Sequence, residues 1–117
     1  MPGRRGTVHE LLISDHAFAI IATAIHRLNL KTQRFNTLRD VVALAFEEDT
    51  LIDPALLEEF SMTFPVDGPV RIFFRADGDE RDRIERAKMA LCEHLKGPCN
   101  AREVIVFCAY LLTKKFG

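Results

Sequence analysis

Between positions 70 and 76 the chain reads Val-Arg-Ile-Phe-Phe-Arg-Ala, so Val70, Ile72, Phe74 and Ala76 alternate with Arg71, Phe73 and Arg75. A period of two predicts a short strand with one row in a core and the other facing outward. Asp77-Gly78-Asp79 breaks the strand and offers N-caps to a helix over about 80–96, apolar at Ile84, Ala87, Leu91 and Leu95. Gly97-Pro98 is a stop signal, a left-handed cap followed by a residue that cannot continue a helix. Asn100-Ala101-Arg102-Glu103 then sets an acid three residues after a capping side chain and opens a second helix to about 114.

The first fifty residues repeat this order. Residues 7–13 are a strand candidate, Ser14-Asp15 a cap, and 16–30 a helix apolar at Ile21, Ala24, Ile25 and Leu28. Thr37-Leu38-Arg39-Asp40 again combines a cap, an arginine and an acid, and opens a helix to about 48. An offset of 63 maps Asn100–Ile105 onto Thr37–Val42, and Ile84, Ala87 and Leu91 onto Ile21, Ala24 and Leu28. The pattern predicts an internal duplication. Between the halves, Asp53-Pro54 is a cap with Pro at the first helical position, predicting a short helix over 55–60. Pro65 and Asp67-Gly68-Pro69 form a turn into the second strand.

Strand, helix, capped turn and helix in some 45 residues resembles the ribbon-helix-helix family of bacterial DNA-binding proteins. The resemblance rests on Val70-Arg71-Ile72-Phe73-Phe74-Arg75-Ala76, the helix ending at Gly97, and Asn100-Ala101-Arg102-Glu103-Val104-Ile105. Two copies in one chain are similar to the tandem accessory proteins of plasmid and T-DNA transfer. The expected fold is mostly α with a two-stranded antiparallel β-ribbon, two ribbon-helix-helix units fused in one chain. Residues 1–117 then form one domain: a first unit over 7–48, an acidic connector with a short helix over 49–69, and a second unit over 70–115.

The resemblance implies a partner, double-stranded DNA, with the ribbon in the major groove. Arg71, Phe73 and Arg75 would read bases, and Thr37, Arg39, Asn100 and Arg102 at the two second-helix N-termini would meet phosphates. Arg4 and Arg5 are a candidate basic arm. The implied role is plasmid or T-DNA transfer, alongside a relaxase or other DNA-processing protein, or transcriptional repression. The chain would act as a monomer or self-associate weakly on DNA. The first strand departs from the pattern: it carries no Arg or Lys, and its outward row is Val8, Glu10 and Leu12, or His9, Leu11 and Ile13, depending on register. One half then serves mainly as scaffold, or the basic arm compensates. The rival reading is a protein-interaction module on the same fold, docking through the acidic connector and the apolar first strand. Separately, the plainer reading of Arg71 and Arg75 is that they only blunt an exposed strand edge.

Charge sharpens this picture. The net charge is −1, but residues 1–35 carry +3, residues 36–69 carry −7 and residues 70–117 carry +3. Two basic segments flank an acidic connector, which a whole-chain value hides. With 48% hydrophobic and 28% charged residues and mean hydropathy near zero, the composition is globular, not disordered. The run from 17 to 25 is about half a membrane span, and the N-terminus lacks a signal-peptide core, so no membrane partner and a cytoplasmic location are expected.

Cys92, Cys99 and Cys108 are an odd set and read as reduced thiols. With His94 they match no zinc spacing, and the four histidines have no nucleophile or acid partner pattern. The mixed charges of 80–86 read as a solvated helix face. No phosphate loop, nucleophile elbow or carboxylate pair is present, so the expectation is a binding protein without catalytic residues, cofactor or metal.

Overall fold

Strand β1 (Thr7–Ile13) leads into α1 (Asp15–Thr32) and α2 (Leu38–Phe46), followed by α3 (Pro54–Ser61), strand β2 (Val70–Ala76), α4 (Gly78–Cys92) and α5 (Ala101–Lys115). This computed structural model describes residues 7–47, 54–62, 65–94 and 99–116. The expectations for Arg4, Arg5, Asp53 and Gly97-Pro98 lie outside the described residues. The fold is mostly helical with a two-stranded antiparallel sheet. No described helix is long and apolar enough to cross a membrane.

The strands pair in a register that sets Thr7 opposite Ala76, Glu10 opposite Phe73 and Ile13 opposite Val70. β1 and β2, α1 and α4, and α2 and α5 each start 63 residues apart, as do their N-caps Ser14 and Asp77, Thr37 and Asn100. Capping contacts fix these starts. The Ala17 amide donates to Ser14 Oγ at 3.0 Å, and the Asp40 amide to Thr37 Oγ1 at 3.3 Å. The Asp77 and Asn100 amides donate to Glu80 and Glu103 at 2.9 and 2.7 Å.

The halves differ in their last helix. α2 has nine residues and buries Val41, Val42 and Ala45, whereas α5 has fifteen and buries every residue from Glu103 to Leu112. A helix apolar all round needs cover on every side. α5 is the central rod, packed by α1, α2, α3, α4 and β1. From α3, Phe60 sets its ring edge-on to Phe107 at 5.1 Å and tilted against Tyr110 at 5.5 Å. Phe60 and Phe107 are fully buried, and each stabilises the fold by roughly 1.5–3 kcal/mol through area removed from water.

The end of the connector is pinned to the first half. The Ser14 amide donates to the Val66 carbonyl at 2.7 Å. A Cβ on Gly68 would lie 2.4 Å from Ser14 Cα and 2.8 Å from the Ile13 carbonyl oxygen, so only glycine permits this approach.

Three expectations need correction. The helix expected over about 80–96 starts at Gly78 and ends at Cys92, with Glu93 and His94 in a turn, and Leu95 lies outside the described residues. α1 runs two residues past its predicted end and closes with Gln33 in the left-handed region (φ 60°). Its amide donates to the Asn29 carbonyl at 2.8 Å. Cys92 and Cys99, read from sequence as reduced thiols, are joined in a disulfide; Cys108 is free and buried. The odd count concealed a pair that joins the end of α4 to the residue before the α5 cap.

Candidate nucleic-acid interface

The ribbon has two unlike faces. Leu11, Ile13, Phe74 and Ala76 are buried beneath it, with Val70 and Ile72 partly so. Arg71, Phe73 and Arg75 point outward from β2, and Val8, Glu10 and Leu12 from β1. Of the two registers open from sequence, β1 adopts the one that exposes Val8, Glu10 and Leu12. Cross-strand neighbours on the outer face are Val8 with Arg75, Glu10 with Phe73, and Leu12 with Arg71. Each end of the ribbon therefore presents one aliphatic side chain and one arginine, and both arginines stand on the same strand. Phe73 is 64% exposed at the centre.

Glu10 alters this face. Its carboxylate lies 3.1 Å from Arg71 Nε, a diagonal pair with both side chains mostly in solvent. Such a pair contributes little to stability but occupies the guanidinium. Arg75 has no ionic partner among the described residues, so it is the free cation of the ribbon.

The second-helix N-termini are differently engaged. At α2, the Thr37 amide donates to Asp40 Oδ2 at 3.0 Å, and at α5 the Asn100 amide donates to Glu103. Each helix end thus already holds a carboxylate against its positive dipole end. Arg39 reaches out of the first half and pairs with Asp77 and Glu80, with Nε 2.9 Å from Glu80 Oε2. Those two carboxylates hold the Arg39 guanidinium above its ordinary value, and Arg39 in turn holds Glu80 below the usual carboxylate range. Arg102 reaches the opposite way. Its Nε donates to the buried Glu103 carboxylate at 2.8 Å and its Nη1 to the Leu12 carbonyl at 3.5 Å. Positions 39 and 102 are one interval of 63 apart, and each braces its helix to the strand–helix junction of the other half.

The structure therefore gathers Arg71, Phe73 and Arg75 on one exposed face but commits Arg39 and Arg102 to contacts within the chain. Sequence reasoning missed Glu10 as the partner of Arg71, because a diagonal pair is visible only once the register is known. It also missed the cluster that ties α3 to α5, in which Tyr110 Oη donates to Glu59 Oε1 at 2.5 Å and Lys114 Nζ pairs with the same oxygen at 2.5 Å. Beside that cluster is an open depression of about 460 Å³ lined in part by His16, Arg27, Tyr110 and Lys114. Two of its cations are taken, Lys114 by Glu59 and Arg27 by the Thr113 carbonyl at 2.5 Å. No match to the chain was found among protein-family models, curated proteins or solved structures.

Proposed function

We propose that this chain is a single-chain ribbon-helix-helix protein that binds duplex DNA with the outer face of its ribbon. The observation that carries the reading is the exposure of Arg71, Phe73 and Arg75 on one side of an antiparallel two-stranded ribbon whose other side is core. The equal spacing of element starts, 63 residues in all three pairs, supports a fusion of two such units. A two-stranded ribbon fits the major groove, arginine forks onto guanine, and Phe73 offers an apolar surface to thymine methyls. Because Arg39 and Arg102 are braced internally, affinity rests on the ribbon. A helix N-terminus capped by its own carboxylate is a poor seat for a phosphate. The role is that of a binding protein, in plasmid or T-DNA transfer beside a relaxase, or in repression.

Titration of a fluorescent duplex at two salt concentrations tests this. Phosphate contacts make affinity fall steeply between about 50 and 200 mM salt. Failure to bind the protein's own upstream region, or a transfer origin, at low salt would remove the proposal. A second reading has its own observation: Val8, Leu12 and Phe73 are exposed apolar side chains on the one outer face, and Glu10 occupies Arg71. On that reading the ribbon docks onto another protein, and Phe73→Ala abolishes the interaction while Arg75→Ala leaves it intact.

A further inference from the structure

We propose that Cys92 and Cys99 are a reversible thiol–disulfide site, reacting with low-molecular-weight disulfides, that ties the end of α4 to the start of α5. Cys92 is the last residue of α4, Cys99 immediately precedes the α5 N-cap, and their Cα atoms are 5.5 Å apart. Cys92 is exposed, so a small reagent can reach it.

The first half shows what this position does. Subtracting 63 places Cys92 on Asn29 and Cys99 on Asn36. There the Asn36 amide donates to Asn29 Oδ1 at 2.6 Å, and Asn36 Nδ2 donates to the same oxygen at 3.1 Å. Asn36 Nδ2 also donates to Thr32 Oγ1 at 2.9 Å and to the Arg34 carbonyl at 3.1 Å. Asn36 is buried, one of few polar residues that are. The α1–α2 turn is thus closed by hydrogen bonds that no redox condition alters. At the matching positions of the second half, the two helix ends are joined by a bond that two electrons open.

The reaction balances without any group beyond the reagent. The Cys92 thiolate attacks one sulfur of the small disulfide, forming a mixed disulfide and releasing one small thiolate. The Cys99 thiolate then attacks Cys92 Sγ, forming the protein disulfide and releasing the second. The pair gives up two electrons and two protons, and the reagent leaves as two thiols. Cys108 does not interfere: it is fully buried, and burial pushes its thiol up to about 12. Opening the bond frees the start of α5, which carries Asn100 and the Arg102 brace to Leu12. The proposal stands whether or not the ribbon binds DNA.

The test is to equilibrate the full chain across ratios of reduced to oxidised glutathione. Thiol labelling and the loss of two hydrogens by mass report the bond, and circular dichroism reports the Tm. The expected result is an intramolecular Cys92–Cys99 bond that forms and reopens with the ratio, and a Tm lower by roughly 5–10 °C when reduced. Amide exchange should quicken around 100–104. Cys92→Ser/Cys99→Ser should hold the lower Tm in every buffer, and Cys92→Asn/Cys99→Asn should remain folded and insensitive to the ratio. A bond that does not form, forms only between chains, resists the reduced thiol, or leaves Tm and exchange unchanged would overturn the proposal.

Discussion

Glu10 and Phe73 face each other at the middle of the ribbon and are 63 residues apart, the interval that also separates the starts of the paired helices. The ribbon register and the helix spacing are thus consequences of one relationship. Shifting the pairing by one residue would turn Leu11 and Ile13 outward and desynchronise the two halves. The burial of Leu11 and Ile13 holds the register, and the register places the caps Ser14 and Asp77 at equivalent ends of the sheet.

That arrangement leaves neither half a core of its own. α5 is covered by α1 and α2 from the first half and by α4 from the second, and each strand has the other as its sole partner among the described residues. A two-stranded ribbon alone is marginal in water. Residues 1–52 and 66–117 expressed separately should show no cooperative thermal transition, and mixing them should restore one. A cooperative melt from either fragment would show that the core is not shared.

His9 exposes a mismatch between the halves. It lies on the inner row of β1 opposite Phe74, with its Nε2 buried and without a hydrogen-bond partner. The corresponding position of β2 is Ile72. A buried unpaired polar atom costs about 1–3 kcal/mol. His9→Ile should therefore raise the Tm by several degrees in differential scanning calorimetry, with the outward residues and DNA affinity unaffected. A lower Tm would mean that the imidazole is satisfied in solution.

Much of this was legible in the sequence, for local reasons. Both strands end where predicted, because alternation and the adjoining Ser14, Asp77 and Pro69 bound them on each side. Thr37 and Asn100 announced helix starts because a short acceptor followed by an acid at the third position satisfies orphan amides by itself. Helix ends were less legible, since Gln33 adopts a glycine conformation without being glycine. The all-round burial of α5 escaped because the run Val104–Leu112 has no period to read. Arg39 and Arg102 were expected at phosphates because sequence shows a basic residue beside a cap. Arg39 is held by Asp77 and Glu80, far along the chain and visible only from packing, whereas Arg102 is held by its neighbour Glu103 and reaches the distant Leu12 carbonyl as well.

Two ionic contacts contribute to the acid limb of stability. Lys114, then Tyr110, hold Glu59 below the usual carboxylate value of 4.5, and Arg39 does the same to Glu80. Carboxylates with depressed folded values stabilise the fold above their unfolded value. That stability is lost as pH falls through the folded value. Tm should therefore decline as pH drops below about 4.5. Arg39→Ala should lower the neutral-pH Tm by a few degrees at most, since the pair is exposed, and flatten part of the acid limb. It should leave the slope of log affinity against log salt unchanged, because a guanidinium already held by two carboxylates releases no DNA counterions. A shallower slope in Arg39→Ala would restore the phosphate contact.

The ribbon's outer face makes the sharpest demand on a DNA partner. Both arginines lie on β2, while β1 contributes Val8 and Leu12 to the same ends. A site read by this face has its guanine contacts along one side of the groove and room for thymine methyls along the other, so it should not be a palindrome. Selection from a random duplex pool should return an asymmetric motif with guanines grouped on one strand. Arg75, the free cation, should matter most: Arg75→Ala should weaken the selected site roughly 5- to 150-fold, the loss of about 1–3 kcal/mol from one bidentate contact. Arg71→Ala should cost less, because part of that guanidinium is already held by Glu10. Glu10→Ala should do the opposite of both. It releases Arg71 and removes a carboxylate from the centre of the face, so affinity should rise and the salt slope steepen. The order Glu10→Ala above wild type, then Arg71→Ala, then Arg75→Ala follows from the 3.1 Å pair alone. A palindromic motif, or equal losses for the two arginines, would show that the ribbon does not read DNA through this face as placed.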